Sequence, residues 1–153
     1  QALDADYVLD ARKCLSYWTI EHRGAVPERY WPFFDRYYFG CDICQTVCPW
    51  NVHTHGKEKL DALHPAPDRA ALVQDLQFLL TSPNRKLERV FSATPLSRIN
   101  GMGLKRNALT VVGNLRISEL KDVVATFAEN PRLGELAKWA LSKLNADHET
   151  QPL

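Results

Sequence analysis

No run of eighteen apolar residues occurs in this 153-residue chain, so it carries no hydrophobic membrane-spanning segment. The N-terminus, Gln1-Ala2-Leu3-Asp4-Ala5-Asp6, has neither a basic stretch nor an apolar core, and it is not a secretory signal. It also lacks an initiating Met, which suggests that something upstream has been removed. Neither sign of charge dominates, with 19 Lys and Arg against 18 Asp and Glu. Disorder is excluded by composition, since 45% of residues are apolar and 24% charged. The length suits one domain or two small ones. Cysteine is scarce, at four residues, but its placement is not random.

Cys14, Cys41, Cys44 and Cys48 all lie in the first third. The last three form Cys41-Asp42-Ile43-Cys44-Gln45-Thr46-Val47-Cys48-Pro49, a C-x2-C-x3-C-P run. Three chemistries compete for them. Disulfides need an oxidising compartment, to which nothing here directs the chain. Zinc usually takes paired CxxC knuckles or CxxC with histidines, and His53, His55 and His64 follow as runner-up ligands. An iron–sulfur cluster fits best, because C-x2-C with a later Cys-Pro is the tail of the bacterial ferredoxin run. A [4Fe–4S] cube needs four thiolates converging from different directions, and the cysteine before proline reaches toward a neighbouring cluster. Cys14, Cys41 and Cys44 are then three ligands of one cluster, and Cys48 is one ligand of another. That count makes the chain half of a two-cluster module.

Charge is unevenly spread. Residues 85–106 carry Arg85, Lys86, Arg89, Arg98, Lys105 and Arg106 against Glu88 alone. A local basic stretch in a neutral chain points to an anionic partner, although a solvated helix face reads the same way.

The rest of the pattern is mainly helical. Residues 9–23 read as a helix capped by Asp10 and ended by Gly24, with Ala11, Leu15, Trp18 and Thr19 on one face. Residues 25–40 are rich in proline and aromatics, which suits a core around a long loop, a wrap that excludes water from a cluster, or both. Residues 52–68 read as a polar linker. Asp68 caps a segment with Leu72, Val73, Leu76, Leu79 and Leu80 on one stripe, and Ser82-Pro83 restarts a helix running to about Phe91. Gly101 and Gly103 are read as a break. Amphipathic helices follow at 104–115, 118–129 and 131–145, the last opened by Asn130-Pro131.

Two stretches resemble one known family. Leu9-Asp10-Ala11-Arg12-Lys13-Cys14-Leu15-Ser16-Tyr17-Trp18-Thr19-Ile20-Glu21 and Phe39-Gly40-Cys41-Asp42-Ile43-Cys44-Gln45-Thr46-Val47-Cys48-Pro49-Trp50-Asn51 closely resemble epoxyqueuosine reductase, as does Thr94-Pro95-Leu96-Ser97-Arg98 with Gly103-Leu104-Lys105-Arg106-Asn107-Ala108 and Gly113-Asn114. The family completes the queuosine base of tRNA, reducing an epoxide with cobalamin and two [4Fe–4S] clusters. The resemblance implies a mainly α chain: the second half of a ferredoxin-like two-cluster module (1–56), a linker with connecting helices (57–103), HEAT-like helical repeats (104–145) and a tail (146–153). It places this chain just after the family's first cluster run, so the N-terminal corrinoid-binding region is missing and the chain alone does not turn over. Ser16 and Asp42 match positions near the corrinoid, and Arg85, Lys86, Arg89, Arg98, Lys105 and Arg106 fall where the family grips the anticodon region of tRNA. An external electron donor and a cytoplasmic location are implied too. Other classes in contention are a helical-repeat binding module with a structural zinc and a related corrinoid iron–sulfur reductase acting on small halogenated molecules.

Overall fold

The structure, a computed structural model, describes residues 2–5, 8–55 and 68–146. The expectations for Gly56 to Pro67, His64 included, and for most of the 146–153 tail lie outside the described residues. Within them the chain is mainly helical.

It opens with a feature absent from the sequence expectations, a short antiparallel hairpin of β1 (Leu3–Ala5) and β2 (Val8–Leu9). Strands of three and two residues leave too short an alternation to read in a sequence. The expected helix over 9–23 is not continuous. Asp10 does cap its start, accepting from the Arg12 N–H at 3.0 Å, but the first turn is a 3-10 helix (Ala11–Lys13) that stops at Cys14. The chain then rewinds as a wider π turn over Tyr17–Glu21, closed by the His22 N–H donating to the Tyr17 carbonyl at 2.9 Å. The helix therefore ends at Glu21 rather than at Gly24, whose carbonyl has another partner described below. A second 3-10 stretch, Glu28–Phe34, buries Trp31 and Phe34. Residues Ile43–Thr46 form α1 and Pro49–His55 form α2, so the segment read as linker from 52 starts out helical.

The second half begins at α3 (Arg69–Thr81). Asp68 caps it as expected, and Leu72, Leu76, Leu79 and Leu80 form its buried stripe. Helix α4 (Asn84–Val90) starts one residue later than predicted: the Pro83 carbonyl accepts from the Lys86 and Leu87 N–H groups, which makes Pro83 the cap instead of the first helical residue. Helix α5 (Gly101–Asn114) overturns the reading of Gly101 and Gly103 as a break. Both sit in its first turn, and Asn100 caps it through Gly103 N–H at 2.8 Å. They are small for packing reasons: a Cβ on Gly101 would lie 2.7 Å from the Asn84 Cα, and one on Gly103 would lie 2.5 Å from the Ile99 side chain. A domain boundary between 103 and 104 would thus cut a helix in two. A 3-10 turn (Ser118–Leu120) leads into α6 (Lys121–Ala125), shorter than the expected 118–129. Asn130 caps a turn through the Arg132 and Leu133 N–H groups, after which α7 runs over Gly134–Asn145.

One hydrophobic core unites these parts. Trp18, Val26, Trp31 and Phe34 from the cysteine-bearing half join the leucines of α3 and the apolar face of α5, with Val124, Leu136, Ala137 and Ala140 closing the far side. Helix α5 lies at the centre. Among its residues, Leu104 and Ala108 to Gly113 are buried, and it packs against α3, α4, α7 and the Glu28–Phe34 stretch together. Of the aromatic residues at 30–34, Trp31 and Phe34 serve as core while Phe33 is exposed: the Trp31 ring meets Trp139 of α7 edge-on, with centroids 5.2 Å apart.

Candidate functional site

The cysteines sit on short turns in the first third of the chain. Cys14 sits at the break between the 3-10 and π turns, and Cys41 and Cys44 flank the start of α1. Cys14, Cys41 and Cys48 are half-buried and Cys44 is exposed. Gly40, just ahead of Cys41, has φ of 74°, a left-handed conformation that a side chain would strain. That turn swings Cys41 back toward Cys14. Ser16 holds it there, its hydroxyl donating to the Cys41 carbonyl at 3.1 Å. Burial pushes the Cys41 thiol pKa up. The Ile43 backbone N–H pulls it the other way, and repulsion from Cys44, Cys14 and Asp42 adds to the rise. Cys14 and Cys44 thus each lie within electrostatic reach of Cys41, which has a backbone N–H turned on it. Sulfur donors with N–H groups aimed at sulfur suit an iron–sulfur cluster. Among the described residues no three His, Cys, Asp or Glu side chains gather around the point a single metal ion would occupy. His53 is exposed.

The other sequence-predicted residues separate into groups. Asp42 is exposed at the start of α1 and makes no capping bond with its carboxylate. Arg85, Lys86 and Arg89 are exposed on α4, where the Lys86 ammonium lies 5.3 Å from the Phe78 ring centre. Their one acidic neighbour, Glu88, accepts from the Gly101 N–H at the start of α5. Arg98 is exposed but paired with Glu21 of the π turn, and its carbonyl accepts from Arg23. Lys105 is half-buried against the Phe127 ring, 5.7 Å from its centre, and burial lowers its pKa.

Arg106 does not belong with them. It is 5% exposed, and its guanidinium donates to the Trp18, His22 and Gly24 carbonyls at 2.7–2.9 Å and to Asn107 Oδ1 at 3.0 Å. Four of its five N–H groups are therefore committed inside the protein. Burial, then repulsion from Arg23, brings its pKa to about 10, so it stays a cation at neutral pH. A phosphate-gripping role is corrected to an internal one: Arg106 ties α5 to the turn that follows Cys14. Asn107 was read only as part of a family motif. It is fully buried and donates to the Thr19 carbonyl at 2.8 Å and the Tyr38 carbonyl at 2.9 Å. Asn114 completes the row, donating to the Trp31 carbonyl at 2.8 Å. Residues 107 and 114 are seven apart, two helical turns along one face.

Residues 1–51 match the 4Fe-4S double cluster binding domain family. The epoxyqueuosine reductase of Salmonella typhimurium is 31% identical over 93% of this chain and 37% of its own length. That of Cellulophaga algicola is 37% identical over 70% of this chain and 34% of its own. The solved structure of epoxyqueuosine reductase from Bacillus subtilis superimposes with a TM-score of 0.67 at 27% identity, covering 90% of this chain and 37% of that one. A crystal structure of epoxyqueuosine reductase with an epoxyqueuosine-modified tRNA stem loop shares the fold at a TM-score of 0.66 and 24% identity. The chain thus spans a little over a third of the length of these relatives. With cysteine spacing, sequence along nearly its whole length and backbone all agreeing, the chain belongs to the epoxyqueuosine reductase family.

Proposed function

We propose that this chain is the iron–sulfur electron-relay and tRNA-docking portion of an epoxyqueuosine reductase. The observation that carries the reading is the C-x2-C-x3-C-P run from Cys41 to Pro49, inside the residues that match a 4Fe-4S double cluster binding domain, with Cys14 and Cys44 each close enough to Cys41 to raise its pKa. Cys14, Cys41 and Cys44 hold one [4Fe–4S] cluster and Cys48 contributes to a second, in the manner of a ferredoxin-like pair. The remaining ligands come from residues outside this stretch. When bound, the clusters would supply one-electron transfers from an external donor toward cobalamin, two of which, with two protons, meet the need of an epoxide reduced to an alkene with loss of water. The chain's own residues shape that path. Ser16 fixes the Cys41 limb through its carbonyl, which leaves Asp42, exposed beside Cys41, as the better candidate to meet a corrinoid.

On the RNA side, a fold neighbour has been solved with a tRNA stem loop, and the exposed basic residues of this chain lie on and just ahead of the helical half read as HEAT-like repeats over 104–145. Arg85, Lys86 and Arg89 on α4, together with Arg98 and Lys105, supply cations that bind phosphates without reading sequence. With tRNA as substrate, the setting is the cytoplasm.

Anaerobic reconstitution of the full-length protein tests the cluster reading. Iron and sulfide should each approach about eight per chain, the content of two cubes, with broad brown absorbance. Stoichiometric zinc without labile sulfide would overturn it. For the RNA reading, Arg85→Glu with Arg89→Glu should weaken stem-loop binding and reduce its salt dependence by about one counterion per lost phosphate contact. Unchanged affinity and slope would remove α4 from the interface.

A further inference from the structure

Two limbs of chain carry the ligands of the Cys14 cluster. One runs from Cys14 through the π turn, and the other runs through Tyr38 and Gly40 into Cys41. Neither has a strand or long helix to fix its distance from the other. Buried polar bonds hold them instead. The Thr19 hydroxyl, with no exposed surface, donates to the Leu15 carbonyl at 2.9 Å on its own limb and accepts from the Gly40 N–H at 3.0 Å on the other. Asn107 then spans both limbs from behind. One amide donates to the Thr19 carbonyl and to the Tyr38 carbonyl, while its oxygen is occupied by Arg106 Nε. Every hydrogen-bonding group of that side chain except one acceptor lone pair is used, and the oxygen's bond to Arg106 fixes which way the amide faces.

We propose that Thr19 and Asn107 are positioning residues for the cluster held by Cys14, Cys41 and Cys44: they set the separation of the two ligand-bearing limbs and anchor it to α5. The proposal rests on the cluster reading above. A buried amide bridging two carbonyls is sensitive to the distance between them, because losing either bond strands a buried polar group. Outer residues of this kind orient metal ligands, and their loss typically weakens metal retention 10- to 100-fold. Helix α5 also carries Lys105, two residues before Asn107, so the helical half and the cluster share one element.

The test uses the full-length protein, reconstituted anaerobically with iron and sulfide. Thr19→Val removes the hydroxyl at constant shape, and Asn107→Asp replaces the two-donor amide with an acceptor of the same size. Asn114→Ala is the control, breaking the bond between α5 and Trp31 while leaving both limbs untouched. Three quantities are measured: the rate of iron release to a chelator, the midpoint potential by spectroscopic titration, and the urea midpoint. Thr19→Val and Asn107→Asp should release iron about tenfold faster than wild type and shift the potential, whereas Asn114→Ala should lower the urea midpoint with wild-type release rate and potential. Wild-type release and potential in Thr19→Val would overturn the proposal. So would faster release in Asn114→Ala that simply tracks its loss of stability. Failure of the wild-type protein to take up iron and sulfide at all would sink the cluster reading itself, and is told apart by that first measurement.

Discussion

Arg106 shows what a residue's identity conceals. In sequence it is one of six cations in a basic stretch, and charge alone cannot say that it is 5% exposed. Its structural role depends on three carbonyls more than eighty residues away, contacts that no local pattern encodes. Arg106→Leu should cost about 3 kcal/mol or more in urea unfolding, since it strands those buried acceptors. Arg106→Lys should recover little of that, because one ammonium cannot reach three carbonyls through a planar fork. Binding of a tRNA stem loop by folded Arg106→Lys should keep the wild-type salt slope. Tyr38 offers a second prediction. Burial, and secondarily Asp75, raises the pKa of its phenol. The folded state therefore holds that proton to higher pH than the unfolded chain, and the associated stability is present below pH 10 and lost as pH rises through the folded value. The urea midpoint should fall on that alkaline limb, and Tyr38→Phe should flatten the fall. The cysteines, by contrast, were legible from sequence because the spacing of two ligands in one turn is a local constraint.

Elements were readable where their signals are local. Asp68 announced a helix start because a capping side chain bonds to N–H groups two or three residues on, whereas Asn130 makes the same kind of bond in the turn ahead of α7, which begins later than the expected 131. The leucine stripe of α3 appeared at helical spacing for the same reason. Gly101 and Gly103 were misread, since a glycine that admits a close neighbour looks like one that ends a helix until the neighbour is known. The π turn after Cys14 had no sequence signal at all; its Trp18 and Thr19 carbonyls accept from Arg106 and Asn107, and its Thr19 hydroxyl accepts from the Gly40 N–H, contacts made by residues distant in sequence. Glycine at 113 makes the strongest prediction here. A Cβ would stand 2.4 Å from the Trp139 ring, so Gly113→Ala should destabilise by about 1–3 kcal/mol through overpacking. Thermal melting would register the loss, and Trp139→Leu in the same chain should relieve part of it. Asn100→Ala should cost about 1 kcal/mol as a lost helix cap.

At the scale of the whole molecule, the sequence suggested separable parts and the structure joins them. The cysteine-bearing half places Trp18, Trp31 and Phe34 in the same core as α3, α5 and α7. The surface they share is formed by residues distant in sequence, which no local pattern announces. A single cooperative transition is expected: in urea, tryptophan fluorescence and helical circular dichroism should change together. Fluorescence leading the helical signal would mean that the cysteine half opens on its own. Among the described residues no helix is long and apolar enough to cross a membrane.

Helix α5 answers to both halves, with its apolar side among the helices, Arg106 and Asn107 fastened to the cysteine-bearing turns and Asn114 to Trp31. Anyone recombining relatives to build hybrid proteins would be misled by a boundary placed between 103 and 104. A crossover there would separate the anchor from the carbonyls it was shaped to meet, whereas a crossover just past Asn114 would let that anchor travel with its cysteines.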